Sequence, residues 1–235
     1  MNRMKILKYL LELTRISAQE LINIYDNCIN RNRNQIDTSI KILSEKGKSR
    51  ISEQEFRFVM AILHSKPHIN INGYTQSIET PTSRKDYSFS GRKPQNAWSD
   101  LSFFDNDKCI LNIEFKAHNP SPQNINKDIE KLCKEPTLGA WCHIFKNERE
   151  NTVETLFNKF IKALEWGKYR DLKTKSIAFH ILILGSRTLL SRNILDDDLR
   201  DKKLDLKSMF NIQNSFWKDL EPGRYQKNGW EIKKY

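Results

Sequence analysis

No CxxC pair occurs among the four cysteines, Cys28, Cys109, Cys133 and Cys142. Cys142 and His143 stand near Cys133, yet no second pair offers the remaining ligands of a structural zinc at a usual spacing. Cys109 and Cys142 lie in apolar, strand-like runs, where a free thiol acts as a small hydrophobe. This pattern suits a reducing compartment and points to the cytoplasm. Long apolar runs are missing as well. The longest, "IAFHILILG" at 177–185, is far short of the roughly 20 residues of a membrane span, so a membrane partner is not expected. "MNRMKILKYLLELTR" begins with basic residues, but Glu12 interrupts its apolar run and no small-residue cleavage site follows, which argues against a signal peptide. Glycine is missing where a phosphate-binding loop would need it. "EKGKSR" holds a GKS tripeptide, but Ile42 occupies the position five residues before Gly47. No internal repeat is visible. Acidic residues are in deficit, 29 against 40 Lys and Arg, for a net charge of +11. That balance favours a polyanionic partner, although a merely basic surface gives the same figure.

What is present suggests helices first and a sheet after. With 235 residues, 38% of them hydrophobic, the chain can build one large domain with an extension. Residues 2–46 read as helices. Ile6, Leu7, Leu10, Leu11 and Leu13 recur near helical spacing, Ser17 and Glu20 form an S-x-x-E box that opens a second helix, and 35–47 reads as a third that ends at Gly47. "ISEQEFRFVMAILHSK" is amphipathic, with Phe56, Val59, Met60 and Leu63 on one stripe. "HININGYTQSIE" alternates like a strand, and 80–98 reads as a basic loop. "WSDLSFF", a turn at "DNDK", and "CILNIEFKA" form a hairpin. A short helix (124–135), a strand in "GAWCHIFKN", a long helix (152–168) and the apolar strand 176–186 complete the order α-β-β-β-α-β-α-β. A polar tail follows, anchored by Phe210, Phe216, Trp217 and Trp230. The expected divisions are a helical extension at 1–48, a core at 49–190 and a packed tail at 191–235.

The chemistry gathers on "LNIEFKAHN" (111–119). Strand side chains alternate, so Asn112, Glu114 and Lys116 share one face. A charge placed on an interior strand needs a partner or a metal. Asp100 and Glu114 point the same way only if their strands pair in even register, which predicts an odd turn such as a three-residue loop at 106–108. Two close carboxylates repel, and a divalent cation relieves the repulsion. Mg²⁺, or Mn²⁺, prefers such oxygen ligands and can activate water against a phosphodiester. Lys116 then orients the water or neutralises charge on phosphorus.

Asp100 followed by Glu114-Phe115-Lys116, within α-β-β-β-α-β order, resembles the PD-(D/E)xK nuclease superfamily over roughly residues 51–185. The resemblance implies an α/β fold with a restriction-endonuclease-like core: a mixed central sheet flanked by helices, here with an N-terminal helical extension. It implies a metal held by Asp100, Glu114 and the Phe115 backbone carbonyl, with Lys116 as the catalytic lysine. Ser99 stands where the family often has proline. The family often adds a glutamate from the first core helix. Glu53 is the candidate, because Glu55 is explained by a capping box with Ser52. The implied activity is Mg²⁺-dependent endonucleolytic cleavage of DNA, of restriction or defence type, with RNA not excluded and a homodimer by analogy. Candidate phosphate contacts are Arg84, Lys85, Arg92, Lys93, Lys127 and Lys131, each with a solvated basic surface as the plain alternative. Asp128 lies one helical turn before Lys131, and Glu130 reads as solvated. His118 reads as a rim residue, His143 and His180 as satisfied core histidines, and Trp98 as packing, with base stacking as the alternative. Two other functions fit the same residues: a non-cleaving nucleic-acid-binding or regulatory protein, and an effector nuclease switched on by a ligand or partner through the N-terminal helices.

Overall fold

Parallel strands need a crossover between them, and this chain makes two in succession. In the computed structural model, which describes residues 2–29, 51–85, 87, 97–147, 151–168, 173–200, 205–212, 215–218 and 220–235, strand β3 (Lys108–Ala117) passes through helix α3 (Pro122–Lys134) into β4 (Leu138–Phe145). That strand passes through α4 (Thr152–Lys168) into β5 (Ser176–Ile183). β3, β4 and β5 are parallel. Every residue of β4 and β5 is buried, as expected of strands covered on both faces.

Antiparallel strands extend this centre on both sides. β1 (Thr75–Pro81) and β2 (Trp98–Asp105) precede it in the chain. β6 (Thr188–Leu195), β7 (Gly223–Lys227) and β8 (Trp230–Lys234) follow it. The result is one mixed eight-stranded sheet in the order β1-β2-β3-β4-β5-β6-β8-β7. Short helices α5 (Asp196–Arg200), α6 (Leu206–Met209) and α7 (Ser215–Lys218) lie between β6 and β7. The expected α-β-β-β-α-β-α-β order is present. The tail does more than pack, because it contributes sheet strands. Its expected anchors Phe210, Phe216, Trp217 and Trp230 do join a core cluster.

Two layers of apolar residues separate the faces. On one, α1 (Arg3–Ile29) and α2 (Glu53–His64) cover Leu101, Phe103, Ile113, Phe115 and Cys142. On the other, α3 and α4 cover Trp141, Phe179, Ile181 and their neighbours. The sheet residues of the two sets alternate along β4 and β5, as the pleat requires.

Two local expectations change. Ser17 does not open a second helix. α1 runs unbroken from Arg3 to Ile29, and the buried Ser17 hydroxyl donates to the Leu13 carbonyl at 2.8 Å, as Thr14 does to Leu10. A serine that bonds back one turn satisfies itself without capping anything. The third expected helix, 35–47, lies outside the described residues. β1 begins only at Thr75; residues 67–72 turn instead, held by Asn70, whose side chain accepts from the Tyr74 amide and donates to its carbonyl. At the start of α2, Ser52 and Glu55 form the expected capping box.

Candidate functional site

The β2–β3 hairpin turns on two residues, Asn106 and Asp107, with Asn106 in the left-handed region at φ 54°. A two-residue turn alone would put Asp100 and Glu114 out of step. A β-bulge corrects the parity: Phe104 pairs with Cys109 but Phe103 pairs with Leu111, which leaves Ile110 as the extra residue. Beyond the bulge Leu101 faces Ile113 and Ser102 faces Asn112. Asp100 therefore stands across from Glu114, and its Oδ2 accepts from the Phe115 amide at 2.7 Å. The register is the expected even one, but a bulge produces it and not a three-residue loop.

Helix α3 closes over this face. Ser121 caps it and Pro122 starts it. About two turns later Asp128, and then Lys131, project toward the strand. Lys131 Nζ donates to Glu114 Oε2 at 2.6 Å, to Asp128 Oδ1 at 2.9 Å and to the Trp98 carbonyl at 2.9 Å. An ammonium has three protons, and all three are used. Lys116 Nζ lies 2.8 Å from Asp128 Oδ2 and donates to the Phe115 carbonyl at 3.0 Å. The chain Glu114–Lys131–Asp128–Lys116 thus alternates in sign and is buried for most of its length. Lys116 is its more exposed ammonium, at 18% against 5% for Lys131.

Three carboxylates (Asp100, Glu114, Asp128) meet two ammoniums (Lys116, Lys131), so the cluster is short of positive charge. The shortage falls on Glu114, which is fully buried and whose Oε1 has no hydrogen-bond partner among the described residues. Burial pushes its carboxyl well above the usual range, and Asp128 and Asp100 add to that push against Lys131. Burial would also raise Asp128, but Lys131 and Lys116 outweigh it and hold its carboxyl low. Burial would lower the two lysines. The surrounding carboxylates, Asp128 first for Lys116 and Glu114 first for Lys131, outweigh it and raise both.

The other expected residues distribute as follows. Glu53 does not join the cluster. It sits in the first turn of α2, whose Phe56 packs edge-on against Phe115, the side chain on the opposite face from Glu114. No hydrogen bond or ion pair among the described residues links Glu53 to Asp100 or Glu114. Lys131, expected as a phosphate contact, is instead consumed inside the cluster. Lys127 is exposed on α3. The Arg84 amide donates to Glu135 Oε1, and Lys85 is exposed next to it. Arg92 and Lys93 lie outside the described residues. Glu130 is buried and paired with Lys134 at 2.6 Å, so its face of α3 is not solvated. Trp98 is 56% exposed, so its ring is not packed away.

The histidines split. His118 is exposed, at φ 60°, and its carbonyl accepts from His143 Nε2 at 2.9 Å. His143 faces Lys116 across the β3–β4 ladder, and burial depresses its pKa to about 3. Its Nδ1 and the Nε2 of His180 have no partner among the described residues, so neither ring is fully satisfied.

Two residues matter more than the sequence suggested. Asp128 bridges both lysines, and its one signal was the opposite charge three residues on in the helix after the strand. Glu135, at the end of α3, accepts from the Ser83 amide and hydroxyl and from Tyr87 Oη, and so fastens the segment after β1 to the site. No sequence signal marks it.

Among the described residues, no three His, Cys, Asp or Glu side chains converge as a metal cage. The oxygens that fit a hard divalent cation here are the Asp100 carboxylate, the unpartnered Glu114 Oε1 and the Phe115 carbonyl that Lys116 approaches. No helix among the described residues is long and apolar enough to cross a membrane. No family model, curated protein or solved structure matches this chain.

Proposed function

We propose that this protein is a metal-dependent nuclease that hydrolyses phosphodiester bonds of DNA, of restriction or defence type. One observation carries the reading: a buried glutamate with a free oxygen, opposite a second carboxylate, in a cluster short of positive charge. A buried carboxylate oxygen without a partner calls for an explanation, and a bound divalent cation would supply one. Supporting it, α2-β1-β2-β3-α3-β4 follows the order that the PD-(D/E)xK resemblance implies. The sheet is larger than that core by its later strands.

In this reading Asp100, Glu114 and the Phe115 carbonyl hold Mg²⁺ or Mn²⁺. The ion supplies Lewis acidity and an acidified water. Lys131 keeps Glu114 aimed, because its three hydrogen bonds leave its ammonium no other geometry. Asp128 holds the Lys116 ammonium beside the Phe115 carbonyl, where it orients the attacking water or meets charge growing on phosphorus. Trp98, half exposed beside Asp100, offers a ring on which a base can stack. The basic surface provides salt-sensitive affinity.

A second reading has its own observation. Lys116 and Lys131 are already paired with carboxylates, as suits a protein that binds nucleic acid without cutting it. One assay separates the two. Plasmid DNA, single-stranded DNA and RNA are incubated with Mg²⁺, Mn²⁺ or EDTA, beside Asp100→Ala and Lys116→Ala. Cleavage that needs metal and falls at least about a hundredfold in both variants is expected. Binding without cleavage under every metal would favour the second reading. Sedimentation with and without DNA tests the homodimer.

A further inference from the structure

Trp141, Trp217 and Trp230 are fully buried, whereas Trp98 is 56% exposed. Among the described residues its ring makes no aromatic or cationic contact, and its Nε1 no hydrogen bond. A single exposed apolar side chain is ordinary on a protein surface. What sets this one apart is its position.

The β2–β3 ladder runs from Asp105 and Lys108 to Leu101 and Ile113. Continued in the same register, Asp100 stands opposite Glu114 and Trp98 opposite Lys116. Strand side chains alternate, so all four belong to the face that α3 covers. Trp98 is then one strand spacing, about 5 Å, from Lys116, and two residues, about 7 Å, from Asp100. The ladder opens at this point. The Phe115 amide goes to the Asp100 carboxylate at 2.7 Å, and Lys131 reaches from α3 to the Trp98 carbonyl at 2.9 Å. The same ammonium holds Glu114. The backbone that carries the ring is therefore braced to the carboxylate site, while the ring stays exposed at its mouth. Lys116 Nζ, with two oxygen partners among the described residues, keeps a third proton to donate.

We propose that this mouth takes an unpaired DNA strand: one base stacks on Trp98, and the phosphate beside it meets Lys116 and the Asp100–Glu114 pair. In a duplex both faces of a base are covered by its neighbours, and turning it out costs about what one aromatic stack returns. An intact duplex gains little from this ring, and an unpaired strand gains all of it. The place of the phosphate rests on the nuclease reading. The stacking does not, because it needs no metal. The inference narrows that reading to DNA unpaired at the cut.

The test measures binding apart from cleavage. A short labelled single strand and its duplex are titrated with the whole chain in EDTA, by fluorescence anisotropy. The single strand is expected to bind more tightly. Trp98→Ala should weaken it at least about fivefold, the low end for one lost base stack, and leave the duplex unchanged. Trp98→Phe should restore most of the loss, and neither variant should move the melting midpoint. With Mg²⁺ the single strand should be cut faster, and Trp98→Ala should act on KM more than on kcat. The same binding pattern with no cleavage of any DNA would remove the nuclease reading and leave this inference standing. Cleavage of the duplex as fast as the single strand, or single-strand binding that Trp98→Ala leaves unchanged, overturns the inference and leaves the nuclease reading in place. No binding of the single strand at micromolar concentration overturns it as well.

Discussion

Replacing Lys131 by Met keeps most of the side chain's stem and removes its ammonium. Three hydrogen bonds go with it. Glu114, fully buried, and Asp128, 4% exposed, lose their shared cation. Removing one partner of a buried pair costs roughly 3–5 kcal/mol. In a chain of this length each kcal/mol moves the melting midpoint by about 2–4 °C, so a fall on the order of 10 °C is expected near neutral pH. Glu114 can recover part of the loss by taking up a proton. Burial already holds its folded-state pKa above the ordinary value, and without Lys131 it rises further. A carboxyl with a raised folded pKa stabilises the fold fully below its unfolded value, about 4.3, and that contribution disappears as pH rises through the folded value. Relative to wild type, Lys131→Met should therefore be damaged least near about pH 5 and most above about pH 7. Urea unfolding of both proteins at the two pH values measures this. The double variant Glu114→Gln with Lys131→Met should regain most of the loss, because the cost lies in uncompensated charge. Equal losses at both pH values, with no recovery in the double variant, would refute the account of the cluster.

Gly139→Ala would set a Cβ 3.1 Å from Leu132 Cβ, between β4 and α3. Overpacking there should cost roughly 1–3 kcal/mol, read by denaturant unfolding, and should blunt any cleavage by moving α3. Glu135→Ala releases three hydrogen bonds that fasten Ser83 and Tyr87, so limited proteolysis should cut near 83–87 faster while the midpoint moves little. Burial lowers the pKa of His64, His143 and His180, the latter two to about 3. A base with a lowered folded pKa stabilises the fold above its unfolded value and loses that contribution as pH falls below it. Each histidine should thus steepen acid destabilisation below about pH 6.5 by up to roughly 1.4 kcal/mol per pH unit. Unfolding curves of His180→Phe should show a shallower slope.

How much of this was legible depends on how local each signal is. β5 could be read from "SIAFHILI" because a continuous apolar run of that length fits a strand covered on both faces. The capping box at Ser52 and Glu55 is written within four residues. The same S-x-x-E spelling at Ser17 misled, because a hydroxyl can bond back into a helix as easily as it can begin one. The β7–β8 hairpin carried the strongest short turn signal, Asn228-Gly229, between strands too polar to draw notice. Asp100, Glu114 and Lys116 were legible as a face. The three-way hold of Lys131 and the clasp of Glu135 were not, because each depends on partners brought in from elsewhere in the chain; the bulge at Ile110 is local, but no residue type marks it. Glu53 was placed by the family resemblance and by helical spacing, which gives a stripe but not the side of the sheet that the helix will cover.

The bulge at Ile110 also bears on how the chain avoids folding wrongly. If the hairpin formed without that extra residue, the strand beyond it would slip by one, and every side chain would change faces. Glu114 and Lys116 would turn toward Phe56, into a layer where Ile113 and Phe115 now sit. No ammonium from α3 could reach them there, and two charges would be stranded in an apolar layer. The residues proposed for chemistry therefore also act as a proofreading device: only the register that assembles the site is tolerable to fold. Substitutions that remove the charges to abolish cleavage should, by the same token, make the hairpin more forgiving of error.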